Sequence, residues 1–316
     1  MAESAPTSKE AAELVPPTAS VDSHVDLPTG KGLSFSDAAS ITRRGLARVI
    51  LFAGTAKSGK TTLLSSIYLL FHRQPFAGYL FAGCDTFVGF EERNYYVEIA
   101  SGLSKPTMER TVRSEVLHLQ VRREDLSEPL VDLLLCDISA EDCEEAKDSM
   151  DACRQMGVIR RADTLVLLVD GAKLVDPASR QRAKNDPLTL LRNCLDGGML
   201  SPDAAVDVLF TKWDLVEGNA SKAEIIAFSE SVHAAIVRQF ANRLSRLRVK
   251  RIAAHPFESH LPLGFGLNDL FQSWVEHRVQ STSHVVAKAT ILSASDASEY
   301  DRYLLRRLTE LSPTGA

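Results

Sequence analysis

The run Arg48-Val-Ile-Leu-Phe-Ala-Gly54-Thr55-Ala56-Lys57-Ser58-Gly59-Lys60-Thr61-Thr62 limits what this chain can fold into more than any other stretch. β-Branched and aromatic residues lead into Gly-x-x-x-x-Gly-Lys-Thr, and an apolar-periodic segment begins at Leu63, so the order is strand, loop, helix. In that order the pattern predicts a phosphate loop rather than an ordinary Gly/Ser turn. Successive N–H groups from Gly54 through Thr62 converge on a polyphosphate, with the positive end of a helix behind them. The two glycines are expected to let the backbone turn, Lys60 to reach the β- and γ-phosphates, and the Thr61 hydroxyl to hold Mg2+. Lys57 sits where small residues are usual; neutralising charge between the phosphates and facing solvent are both open to it.

The rest of the chain alternates strands and helices. An extended piece (Gly78-Tyr-Leu-Phe-Ala) and a helix starting near Gly89 fall in a segment from about 74 to 105, longer than a minimal nucleotide domain needs. Extended runs follow at Ser114–Val121, Leu130–Cys136, Thr164–Asp170, Val206–Phe210 and Lys250–Ala254. Helices are expected around Ala146–Met156, over Pro177–Asp196 with a break at Pro187, over Lys222–Leu247 and over Leu267–His277. Leu33–Arg44 reads as a short helix or an extension before the first strand. The fold class is therefore α/β: a mostly parallel sheet with one antiparallel hairpin, covered on both faces as in a three-layer P-loop NTPase sandwich. Residues 1–30 are expected to be a disordered tail, 31–280 the nucleotide domain and 281–316 its C-terminal extension.

In an open α/β sheet, ligands bind beyond the carboxyl ends of the strands, so the residues leaving each strand matter. Asp137 leaves the strand ending at Cys136 and is expected to hold Mg2+ through a water. Thr211-Lys212-Trp213-Asp214 leaves the strand ending at Phe210. A carboxylate at 214 can accept from the N1–H and exocyclic amine of guanine, whereas adenine presents the wrong donor pattern. The Lys212 stem can lie over the purine, and the Thr211 hydroxyl can bond the phosphate-loop backbone.

Together, Gly54-x-x-x-x-Gly59-Lys60-Thr61, Asp137-x-x-Ala140 and Thr211-Lys212-Trp213-Asp214 resemble a GTPase of the translation-factor-related (TRAFAC) class that includes Ras-like and Gα proteins. More narrowly, Pro75–Gly83, Arg113-Ser-Glu115, Asp176–Arg180 and Thr211–Leu215 look like the second type of the bacterial double-GTPase families. The resemblance implies a Ras-like core, GTP/GDP and Mg2+ as ligands, and a protein effector or regulator in a bacterial regulatory or conflict system. It implies a guanine-supporting loop near His255-Pro256, which the residues alone would equally allow to be a tight turn. It also implies a switch threonine: Thr111 by spacing, Thr107 by letters, Thr111 being preferred. Neighbouring Arg110 is a candidate arginine finger or a solvated loop residue. Ala140 and Glu141 replace the Gly-Gln pair of the switch class, leaving Glu141 as a base on water or a solvated member of an acidic run.

Composition narrows the function classes. The net charge of -5 and sequence pI of 5.9 argue against general nucleic-acid binding. Neither a run of about 18 apolar residues nor a basic-then-apolar leader is visible, so the expectation is a cytoplasmic protein with no transmembrane segment. The five cysteines form no C-x-x-C pair and read as reduced thiols, with Cys136 and Cys194 packed in the core. The sequence reading is a slow GTPase acting as a molecular switch; the alternative is a GTP-binding scaffold with little turnover that recruits an effector.

Overall fold

The structure, a computed structural model, describes residues 29–43, 45, 47–102, 113–257 and 259–277. Both expected tails lie largely or wholly outside them, as do Thr107, Arg110 and Thr111.

Among the described residues, seven strands form one sheet: β1 (Ala47–Ala53), β2 (Tyr79–Gly83), β3 (Glu115–Arg123), β4 (Val131–Asp137), β5 (Thr164–Asp170), β6 (Ala205–Thr211) and β7 (Arg246–Arg251), in the order β2-β3-β4-β1-β5-β6-β7. Only β3 is reversed; it pairs antiparallel with β2 and β4, and the other ladders are parallel. Every residue of β1, β4, β5 and β6 is buried, as predominantly apolar strands covered on both faces require.

Alternation along β1 divides the core. Val49, Leu51 and Ala53 face one layer, while Ile50 and Phe52 face the other. The first layer holds α1 (Phe35–Thr42), α4 (Ala140–Asp148), α5 (Met150–Gln155), α7 (Arg180–Asp196) and α9 (Lys222–Phe240), with short α6 (Gly171–Val175) and α8 (Trp213–Glu217) at the strand ends. The second holds α2 (Lys60–Arg73), α3 (Phe87–Gly102) and α10 (Asn268–Glu276), where Trp274 and Phe271 are fully buried.

Three expected helix boundaries move, each for a local reason. The helix around Ala146–Met156 is two helices, because Ser149 is extended: its N–H closes α4 on the Glu145 carbonyl and its hydroxyl accepts from Ala152 N to start α5. Helix α7 runs through Pro187 rather than breaking there. A proline in a helix interior costs about 3 kcal/mol, and here Ala183, Leu190, Leu191 and Cys194 are buried on either side of it. Helix α9 stops at Phe240, and the last strand begins at Arg246 rather than Lys250. Its basic residues suit an exposed sheet edge, and Arg248 forks onto Asp207 at 2.6 and 2.7 Å.

Candidate functional site

Residues 54–59 leave the carboxyl end of β1 and turn into α2. Gly59 has φ of 97°, a conformation only glycine adopts without strain. Gly54 is needed for room instead: a Cβ there would come within 2.6 Å of the Ser58 Oγ. Lys60 Nζ donates to the Gly54 carbonyl at 2.6 Å, folding its side chain back across the loop mouth. Thr61 and Thr62 follow on the first turn of α2.

Lys57 is exposed and left-handed (φ 64°), which turns its carbonyl toward Lys212 Nζ at 2.6 Å. Among the described residues, its backbone oxygen and not its ammonium is the part with a partner. Lys212 is itself left-handed (φ 50°) and pairs with Asp170 at 3.0 Å. Asp170 caps α6 by accepting from Ala172 N at 3.0 Å and also fixes Lys212. The Thr211 hydroxyl lies 2.8 Å from the Ser58 carbonyl and 3.2 Å from that of Val169, so its one proton ties β6 to the phosphate loop or to β5.

Asp214 lies one residue into α8 and is half-buried. Phe257 N points at its Oδ2 from 3.5 Å, which brings the loop holding His255 and Pro256 beside it. Gly171 explains how closely these elements approach: a Cβ there would lie 2.1 Å from the Thr211 carbonyl. On α8, Trp213 Nε1 donates to Glu217 Oε1 at 3.0 Å, and Lys222 pairs with the same carboxylate, holding Glu217 below its ordinary pKa chiefly through the Lys222 bond.

At the opposite end, Asp137 is fully buried, and neither of its carboxylate oxygens has a hydrogen-bond partner among the described residues. Burial pushes its pKa up, against the pull of Arg93 and Lys60. A buried, unsatisfied carboxylate near the phosphate loop is a donor set that suits a hard divalent cation, with Thr61 available from α2. Ala140 and Glu141 open α4, capped by Ser139, whose hydroxyl accepts from Asp142 N. Glu141 is exposed there, favourably placed at a helix N-terminus.

Three residues join this neighbourhood without a motif to announce them. Lys173 Nζ donates to Thr55 Oγ1 at 3.0 Å, and Gly54 N approaches Cys143 Sγ at 3.4 Å. Burial raises the Cys143 thiol to about 11, so it serves as a neutral neighbour. The third is Arg93 of α3, whose Nη2 lies 3.6 Å from Asp137 Oδ2. Its signal is spacing: Phe90, Arg93, Asn94 and Val97 fall on one helical stripe and all are buried.

Among solved structures, the GTPase-like domain of Ski7 from S. cerevisiae, bound to GDP and inorganic phosphate, is 15% identical with a TM-score of 0.42, covering 78% of this chain and 53% of that one. The same domain bound to GTP has a TM-score of 0.43 at 14% identity, covering 79% of this chain and 54% of that one. The chain thus spans about half the length of the Ski7 chains it matches. The signal recognition particle receptor SRb-GTP/SRX complex from Chaetomium thermophilum has a TM-score of 0.44 at 14% identity, covering 74% of this chain and all of that one. The comparison with curated proteins returned no match. A family model for Double-GTPase 2 matches residues 48–275, from the second residue of β1 to the next-to-last of α10, and the chain belongs to that family of GTP-binding proteins.

Proposed function

We propose that this chain hydrolyses GTP to GDP and phosphate and works as a nucleotide-dependent switch. The observation that carries the reading is the pair of bonds joining two motifs about 150 residues apart in sequence, Thr211 to Ser58 and Lys212 to Lys57. They tie the segment that carries Asp214 to the turn that would hold the phosphates, which supports a guanine nucleotide lying across the two. Lys60 would leave the Gly54 carbonyl for the β- and γ-phosphates, backbone N–H groups of residues 55–62 would line the rest, and backbone groups near His255 and Pro256 would support the base.

Thr61, Thr111 and, through water, Asp137 would hold Mg2+, which supplies neutralisation of the charge that builds on the transferred phosphoryl group. Glu141 is assigned to accept the proton of attacking water and Arg110 to stabilise the oxygens of the γ-phosphate. Loss of that phosphate would release the segments around Thr111 and Ala140, and this order change is the signal. The exposed carboxylate of Glu141, in place of an amide, supports the second reading, a GTP-bound scaffold with little turnover.

Multiple-turnover phosphate release from GTP and from ATP, with the wild-type chain, Lys60→Ala and Glu141→Gln, tests both. A slow GTP-only rate, on the order of 10⁻⁴ to 10⁻² s⁻¹ as in unaided relatives of this chemistry, is expected to vanish in Lys60→Ala and to drop in Glu141→Gln with GTP affinity kept. Tight GTP binding with no turnover would leave the scaffold, and equal use of ATP would remove the guanine assignment.

A further inference from the structure

Helix α3 is fastened to the phosphate-loop helix α2. Ser65 Oγ donates to Asn94 Oδ1 at 3.1 Å, the Tyr68 hydroxyl bonds Glu91, and the Tyr68 and Phe90 rings stack with centroids 5.4 Å apart. This clamp delivers Arg93, whose side chain is 8% exposed, to the end of β4. Its guanidinium is secured on the far side: Nη1 donates to the Gly89 carbonyl and Nη2 to Glu115 Oε2, both at 3.0 Å. Asp137 Oδ2 is 3.6 Å from Nη2, close enough for charge compensation and too far for a hydrogen bond. Arg93 is thus held by its own helix and by Glu115, and leans on Asp137 only through charge.

We propose that Arg93 is a positioning residue that acts as the chain's own stand-in for magnesium, balancing Asp137 when the metal is absent and so setting how much Mg2+ the bound nucleotide needs. This rests on the magnesium and guanine-nucleotide reading of the site. The physics is a competition. A buried carboxylate without a counter-charge is expensive, and a neighbouring guanidinium lowers that cost in the metal-free protein while opposing the arrival of a second cation. Glu115 tunes the balance, since it shares Nη2 with Asp137 and is itself 40% exposed. Arg93 of α3 is then part of the metal site.

Retention of a fluorescent GDP analogue, followed against free Mg2+ for the full chain, tests the proposal. Arg93→Gln is expected to lower the Mg2+ concentration at half-maximal retention about 10-fold and to speed nucleotide loss in EDTA, because Asp137 then has only Lys60 and the metal to offset its charge. Glu115→Gln, a near-isosteric change at a partly exposed position, is expected to shift the midpoint the other way, by about 3-fold, as Arg93 leans further toward Asp137. A structural clamp would lower the melting temperature of Arg93→Gln and leave both midpoints where they were, overturning the proposal. So would an unmoved midpoint with turnover down 100-fold or more, which would make Arg93 a group that acts on the γ-phosphate. If the wild-type chain retains no GDP analogue at any Mg2+ concentration, the reading of the site falls and takes this inference with it; a shift absent in a chain that does bind overturns the inference alone.

Discussion

At one end of the site, Thr211 and Lys212 reach the phosphate loop at 2.8 and 2.6 Å, and Lys212 meets Asp170 at 3.0 Å. At the other, Asp137 is sealed from solvent with both oxygens lacking hydrogen bonds among the described residues. The first end has its charges compensated by the chain itself, so its geometry exists before any ligand arrives. The second carries an electrostatic cost that a ligand can relieve. On the proposed reading, selection of the base would belong to the preorganised end, and response to what is bound to the other, where free energy would change most when a cation or phosphate comes or goes.

The contrast is sharpest in two carboxylates. Asp214→Ala should weaken GTP binding by about 2 kcal/mol or more, the worth of charged hydrogen bonds to a ligand, while ATP binding and the melting temperature of the nucleotide-free chain stay unchanged. Asp137→Asn should do the reverse to the free protein. Burial holds the Asp137 carboxyl above its ordinary range, so its ionised form weakens the fold at neutral pH, and a neutral isostere should raise the melting temperature by about 2–4 °C. The same variant should lose Mg2+-dependent nucleotide retention. Titration calorimetry and thermal melts read both; equal melting shifts in the two variants would erase the distinction.

Thr211→Val tests whether the base end is truly built in advance. The swap keeps shape and removes the one proton that ties β6 to the Ser58 or Val169 carbonyl. An unsatisfied buried acceptor costs about 1–3 kcal/mol, which should appear as faster exchange of the amides in residues 55–59 and a loss of about 10-fold in affinity for GTP and GDP alike. A loss confined to GTP would mean that Thr211 serves the γ-phosphate side instead.

How much of this was readable in the chain follows the same divide. The phosphate loop and Thr211–Asp214 are contiguous, each following a buried strand, so periodicity and strand-end position locate them. The apolar-rich runs of β4, β5 and β6, broken only by Asp132 and Asp207 before their last residues, likewise announce a sheet covered on both faces. Boundaries are less legible where one residue carries competing signals. Ser149 ends one helix and caps the next, Pro187 is carried by packing against local preference, and Arg246–Arg251 has the charge of a helix face but pairs at a sheet edge. Arg93 is hardest to foresee, because its place beside Asp137 depends on α3 packing against α2 after a connection through β2 whose path no local rule gives. The stripe Phe90, Arg93, Asn94, Val97 shows that an arginine is buried, but not that Asp137 lies beside it.

The smallest expected effect comes from pH, and it has opposite signs at the two ends. Glu217, beneath the base end, is held below its ordinary pKa by Lys222 and by Trp213 Nε1. A carboxylate with a depressed folded pKa adds stability that is present above its unfolded value, near 4.5, and is lost as pH falls through the folded one. Acid should therefore loosen α8 and with it Trp213, while relieving the burial of Asp137 at the metal end. Glu217→Gln keeps an acceptor for the indole and discards the titration. Between pH 5 and pH 4 its melting temperature should fall less steeply than that of the wild type, by no more than about 2 °C because the Lys222 pair is solvent-screened. Asp137→Asn should change the slope in the other direction, steepening it, since burial makes the folded wild-type carboxyl hold its proton more tightly than the unfolded one and the amide has no such term. Melts of the two variants across that range that bend the same way would show that the ends do not differ in the sign of their buried charge balance.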